Sequence, residues 1–174
     1  MVMAEATNHY FKHLGVSDGL SQVCIPSIYQ DELGAVWLGT TEGLNRYNGK
    51  DVKVFQPSES NHGLTNNEIN ELCGDKNGRM YIRSGNDLIK LDIYTEQFTC
   101  LRQKGVYGLF CKKDTLWVSC ADGIYYYTGQ GTELTFFARV QKGFVGRALY
   151  VDKETVWVVT RKYLVAISPV SYTH

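Results

Sequence analysis

Polar turns and short apolar runs alternate along this chain on a recurring beat. Asp31 to Gly34 reads as a turn, Ala35 to Leu38 as an apolar strand centred on Trp37, Thr40 to Gly43 as a second turn, and Leu44 to Tyr47 as a strand. The order returns with the turn Asp75 to Gly78, the strand around Tyr81 and the strand Leu88 to Leu91. A third copy runs from Lys113 through Trp117 to Tyr127, and a fourth from Asp152 through Trp157 to Ile167. The central aromatics fall at positions 37, 81, 117 and 157, so they are 44, 36 and 40 residues apart. A repeat of about 40–45 residues made only of strands marks a β-propeller blade, which buries its faces against its neighbours.

Taken in order, residues 8–14 predict one isolated strand, suited to closing a ring as the outer strand of the last blade. Blade one spans 15–56, with strands at 23–31, 36–40, 44–47 and 52–56. Within it Asn48-Gly49 predicts a two-residue hairpin turn with positive φ at both positions. Pro26 falls inside the innermost strand, where a missing N–H facing the central channel would break no ladder bond. Blade two spans 57–104 (strands 68–74, 80–84, 88–93, 97–102), and blade three 105–141 (strands 107–112, 116–120, 124–127, 134–140). Blade four, 142–174, shows three strands (148–152, 156–160, 163–167) and then stops. The expected fold is therefore all-β: a β-propeller segment of about four short four-stranded blades, the last incomplete. It is read as part of a larger propeller of about seven blades. The alternative is a four-bladed ring that residues 8–14 complete.

Composition narrows the function classes. Lys plus Arg number 18 and Asp plus Glu 18, so no electrostatic footprint for nucleic acid is present. No stretch approaches the roughly 18 apolar residues of a membrane span, and no signal peptide is visible at the start. The five cysteines (24, 73, 100, 111 and 120) show no C-x-x-C pair and no histidine at ligand spacing, so they read mainly as small buried hydrophobes. No metal site, cofactor site or catalytic motif is found: neither G-x-S-x-G, nor H-E-x-x-H, nor a phosphate-binding loop.

The repeat at residues 31–47, with its lead-in Asp18 to Ser21 and the strand reaching Tyr29, resembles the two-component regulator propeller repeat. Copy two departs from it, with Tyr81 for Trp and Arg83-Ser84 for Gly-Thr. Copies three and four keep Trp117 and Trp157 but lose Gly-Thr as Ser119-Cys120 and Val159-Thr160. The resemblance implies the N-terminal, periplasmic sensor region of a Bacteroidetes hybrid two-component system, with a histidine kinase elsewhere in the polypeptide. It implies a carbohydrate-related signal, further blades as partners, and an arrangement of two protomers that ligand binding biases. It carries over no catalytic residue, so this segment is not expected to be an enzyme. A propeller-type polysaccharide lyase or hydrolase fragment and a protein-interaction scaffold are the alternatives.

The four central aromatics repeat at one point of every blade, which argues for packing between blades rather than a sugar platform. Arg46 belongs to the repeat pattern and is expected to pair across blades. Binding residues are sought instead among departures from the pattern on the loops between the last strand of one blade and the first of the next, and between second and third strands. Both loop sets emerge on one face. They are Asn66, Asn67, Arg83, Asn86, Tyr107, Arg147, Arg161 and Lys162, whose donors and flat faces suit an oligosaccharide or another small molecule.

Overall fold

The computed structural model describes residues 12–57, 63–139, 146, 148–153 and 155–168, and it is built from four antiparallel sheets. The first holds β1 (Ser27–Gln30), β2 (Val36–Thr40), β3 (Gly43–Tyr47) and β4 (Val52–Phe55). The second holds β5 (Ile69–Gly74), β6 (Arg79–Ser84), β7 (Asp87–Asp92) and β8 (Gln97–Arg102). The third holds β9 (Val106–Lys112), β10 (Thr115–Cys120), β11 (Gly123–Tyr127) and β12 (Thr135–Arg139). In the fourth, β13 (Ala148–Asp152), β14 (Thr155–Val159) and β15 (Leu164–Ile167) pair in that order. Each strand pairs with its neighbours in sequence, as the short turns dictate. Every expected strand from 23–31 onward is present, and the fold is the expected propeller segment.

Alternation of side chains along each strand gives every sheet two apolar faces, and consecutive sheets bury them against each other. Trp37, Leu44 and Phe55 of the first sheet pack on Ile69, Met80 and Ile82 of the second. Tyr81 and Leu88 pack on Leu109, Leu116 and Val118 of the third. Ile124 with Trp117 packs on Leu149, Val156 and Val158 of the fourth. The central aromatics of blades one to three thus face the following blade. Trp37 and Tyr81 are fully buried and Trp117 is partly buried. Trp157 was expected in the core. It is exposed, because no described sheet follows its own.

Close approach of the sheets constrains particular residues. A Cβ on Gly74 would lie 2.1 Å from the Tyr29 hydroxyl, and one on Gly39 would lie 2.8 Å from the Ile69 side chain. Arg46 donates to Glu96 of the next blade at 3.2 Å and sits over the Trp37 ring, and Lys53 pairs with the same carboxylate. The cross-blade pairing expected of Arg46 is present.

Three local expectations need correction or restriction. Pro26 is outside the ladder, since β1 begins at Ser27, so its missing N–H bears on no strand bond. At the hairpin between β3 and β4, Gly49 has φ +97° but Asn48 does not have positive φ. Asn48 instead precedes the turn, and its Oδ1 accepts from the amides of Lys50 and Asp51 at 2.9 and 2.7 Å. For the isolated strand at 8–14, residues 8–11 lie outside the described residues, and 12–14 form no strand. Lys12 meets blade one, donating to the Tyr47 hydroxyl at 2.7 Å.

Candidate ligand-binding rim

The loops entering each blade and the turns between its second and third strands interlock through backbone bonds on one rim. The Gly43 amide of blade one donates to Asn67 O (2.7 Å), while the Gly85 amide of blade two donates to Glu68 O (2.7 Å). One blade further on, the Val106 amide donates to Asn86 O (3.0 Å) and the Ala121 amide to Gly105 O (2.8 Å). The connectors into blades two and three are each clamped between the turn of the preceding blade and that of their own. Hydroxyls at equivalent strand ends tighten the clamp. Ser21 Oγ bonds Thr40 Oγ1 at 2.9 Å, and Ser84 Oγ donates to Asn66 O at 2.8 Å. These backbone groups of the rim are thus satisfied within the protein.

This geometry brings five of the expected residues together and separates the others. Asn66 and Arg83 meet the Gly85 turn of blade two, Asn86 follows it, Asn67 adjoins Asn66, and Tyr107 follows Val106, whose amide donates to Asn86 O. Arg161 and Lys162 are exposed at the corresponding turn of blade four, where the Lys162 amide donates to Thr160 Oγ1. Arg147 lies outside the described residues. Within the cluster, Arg83 is partly occupied: Nη1 donates to Gly85 O (3.1 Å) and Nε to Glu71 (3.4 Å). Asn66 is also occupied, its Oδ1 accepting the Glu68 amide. Asn67 and Asn86 are exposed, and their side chains have no hydrogen-bond partner among the described residues.

Two residues of this rim stand on bulges. In blade two Ile69 pairs with Ser84 and Glu71 with Arg83, leaving Asn70 as the extra residue. In blade three Val106 pairs with Cys120 and Gly108 with Ser119, leaving Tyr107 at the equivalent place. A bulge breaks the two-residue alternation and re-aims the extra side chain, and bulges collect next to sites. Asn70, which donates to Gly85 O at 3.2 Å, was missed in the sequence. The repeat alignment that selects Tyr107 would have found it. Glu71 was missed as well. Burial raises its pKa above the ordinary value, against the opposing pull of Arg83 and the Leu109 amide. No group of three or more His, Cys, Asp and Glu side chains that could hold a metal ion occurs among the described residues.

Sheet order, interblade packing and the clamped rim define a β-propeller segment. Residues 19–42, within its first repeat, match the family model described as "Two component regulator propeller". A 53-residue stretch is 40% identical to Histidine kinase P4 of Formosa agariphila, spanning 30% of this chain and 4% of that protein. Among solved structures, the chain is similar to the extracellular domain assigned to the hybrid two component system BT3049 of B. thetaiotaomicron. There the TM-score is 0.77 at 22% identity, over 90% of this chain and 25% of that one. The extracellular domain of BT4673 from the same organism gives a TM-score of 0.67 at 18% identity, over 86% and 22% of the two chains. The computationally designed Ika4 protein aligns over 95% of this chain and 99% of its own length, at 14% identity and a TM-score of 0.62. The chain thus spans a quarter or less of the natural proteins named here. No helix among the described residues is long and apolar enough to cross a membrane.

Proposed function

We propose that this segment is the periplasmic ligand-sensing part of a hybrid two-component signal-transduction protein, and that its ligand is an oligosaccharide. The observation that carries the reading is the pair of bulges in consecutive blades, at Asn70 and Tyr107, on the rim that also carries the exposed amides of Asn67 and Asn86. A flat phenol and amide groups unpaired among the described residues suit sugar faces and hydroxyls. Arg83 positions the turn through its bonds to Glu71 and Gly85 O, and its remaining guanidinium donors are open to a ligand. The family match and the extracellular domains of similar fold support the sensor context. In the whole protein, capture would favour one arrangement of two protomers by as much as the ligand's affinity differs between them.

Titration of the chain with neutral and uronate-containing oligosaccharides, read by calorimetry and thermal shift, tests this. One glycan should bind and raise the melting temperature. Asn86→Ala or Tyr107→Ala should weaken that binding at least about tenfold, the worth of one lost polar or stacking contact, with the ligand-free melt little changed. Glycan turnover would instead favour a lyase or hydrolase. A protein partner without glycan binding would favour an interaction scaffold.

A further inference from the structure

The innermost strands of blades two and three, β5 and β9, lie side by side in a constant register. The Leu109 amide donates to Glu71 Oε2 at 3.1 Å, and two residues along both strands Cys111 Sγ donates to Cys73 Sγ at 2.8 Å. Both links join residues 38 apart in sequence. The first holds the strands at a fixed spacing independently of the sulfurs. The sulfurs themselves stand well inside the distance at which two thiols merely pack, and closing to the roughly 2.05 Å of a covalent bond requires a shift of under about 1 Å. Both thiols are half-buried at the edge of the core between the two blades. No other cysteine pair is this close among the described residues: Cys24 is exposed, Cys100 half-buried and Cys120 buried.

We propose that Cys73 and Cys111 are a disulfide site that staples blade two to blade three. The reaction is thiol–disulfide exchange with a small or protein disulfide as oxidant. One cysteine thiolate attacks the oxidant's S–S bond, forming a mixed disulfide and releasing one thiolate. The second cysteine thiolate then attacks the mixed disulfide, forms the Cys73–Cys111 bond and releases the oxidant's other sulfur. The protein loses two protons and two electrons, and the oxidant is reduced to two thiols. Burial, followed by the neighbouring Cys111 sulfur, pushes the Cys73 thiol well above its ordinary value, so exchange speeds up as pH rises.

The staple has a clear structural effect. Blades hold together only through their neighbours, and this bond would close a loop containing the three outer strands of blade two. Chain-entropy arguments give a loop of this size enough stabilisation to raise the melting temperature of a chain this long by roughly 5–15 °C. The inference does not depend on the ligand.

The test is incubation of the native chain with glutathione disulfide at mildly alkaline pH. Titration of free thiols in the unfolded product and non-reducing peptide mapping follow. Two of the five thiols should disappear, intact mass should fall by two hydrogens, and the peptides carrying Cys73 and Cys111 should be joined. Reductant should then lower the melting temperature of the oxidised wild type but not that of Cys73→Ser or Cys111→Ser, and Cys100→Ser should behave as wild type. Five free thiols after oxidation, or a linkage between any other pair, would overturn the proposal. Because the mapping is made on wild-type protein, it stands even if a serine variant fails to fold.

Discussion

The Asp31 carboxylate accepts the indole N–H of Trp37 at 2.7 Å, and its other oxygen accepts the amides of Leu33 and Ala35 at 3.0 and 2.8 Å. One buried acid therefore ties the turn before β2 to the aromatic at the centre of the blade interface. The Asp-x-x-Gly-x-Val-Trp spacing of the repeat is the sequence trace of that tie.

Removing the acid should be expensive. Asp31→Ala leaves the Ala35 amide and the Trp37 indole without their acceptor in a buried setting and is expected to cost about 2–4 kcal/mol. Trp37→Ala, which empties a fully buried site, should cost roughly 3–5 kcal/mol. Urea denaturation of the two variants measures both. A loss under about 1 kcal/mol for Asp31→Ala would show the tie to be weak.

Blade two solves the same problem differently. Tyr81 has no indole N–H, and the free oxygen of Asp75 takes the Arg79 guanidinium instead. The Tyr81 hydroxyl is buried with no partner among the described residues. Tyr81→Phe should therefore be neutral or stabilising by up to about 1 kcal/mol, whereas Arg79→Ala should destabilise by about 1–3 kcal/mol. A clear loss of stability in Tyr81→Phe would mean that the hydroxyl is bonded.

Trp157 should behave as the opposite of Trp37. It is 38% exposed and shares a groove with Leu149, Tyr150, Val159 and Leu164 on the open face of blade four. Trp157→Ala is expected to cost less than Trp37→Ala, about 1–3 kcal/mol, since 38% of its surface already faces water. Single-Trp variants should show acrylamide quenching Trp157 readily and Trp37 hardly at all. Equal quenching would place Trp157 under cover.

The pH dependence follows from Glu71. Its folded pKa is raised, mainly by burial, so the folded state holds the proton more tightly than the unfolded chain does. The resulting stabilisation is fully present below the ordinary value of 4.5 and is lost as pH rises through the higher folded value. Asp92 has the opposite sign, its pKa lowered chiefly by the Thr95 amide, so its contribution is lost as the solution is acidified. Glu71→Gln keeps an oxygen for the Leu109 amide but cannot titrate. Melting temperatures of wild type and Glu71→Gln across pH should diverge above about 4.5, with the variant gaining. Parallel curves would show that Glu71 titrates normally.

The sequence by itself determined the blades. Strand alternation, the spacing of Trp37, Tyr81, Trp117 and Trp157, and turn glycines such as Gly34 and Gly78 are local or repeat at a readable period, so the strands and their order were legible. Arg46 could be assigned across the interface because it belongs to the repeat pattern that residues 31–47 resemble. Only the tertiary structure decided which residues the rim leaves available. Arg83 looks like a binding residue in sequence but is partly occupied by Glu71, which stands twelve residues away on the neighbouring strand. Asn70 and Tyr107 are set on bulges, and a bulge depends on how two strands pair rather than on either strand's composition. The approach of Cys73 to Cys111 and the exposure of Trp157 depend on which sheet lies beside which. A repeat announces each blade, but the packing between blades is set only when neighbouring sheets compete for the same space.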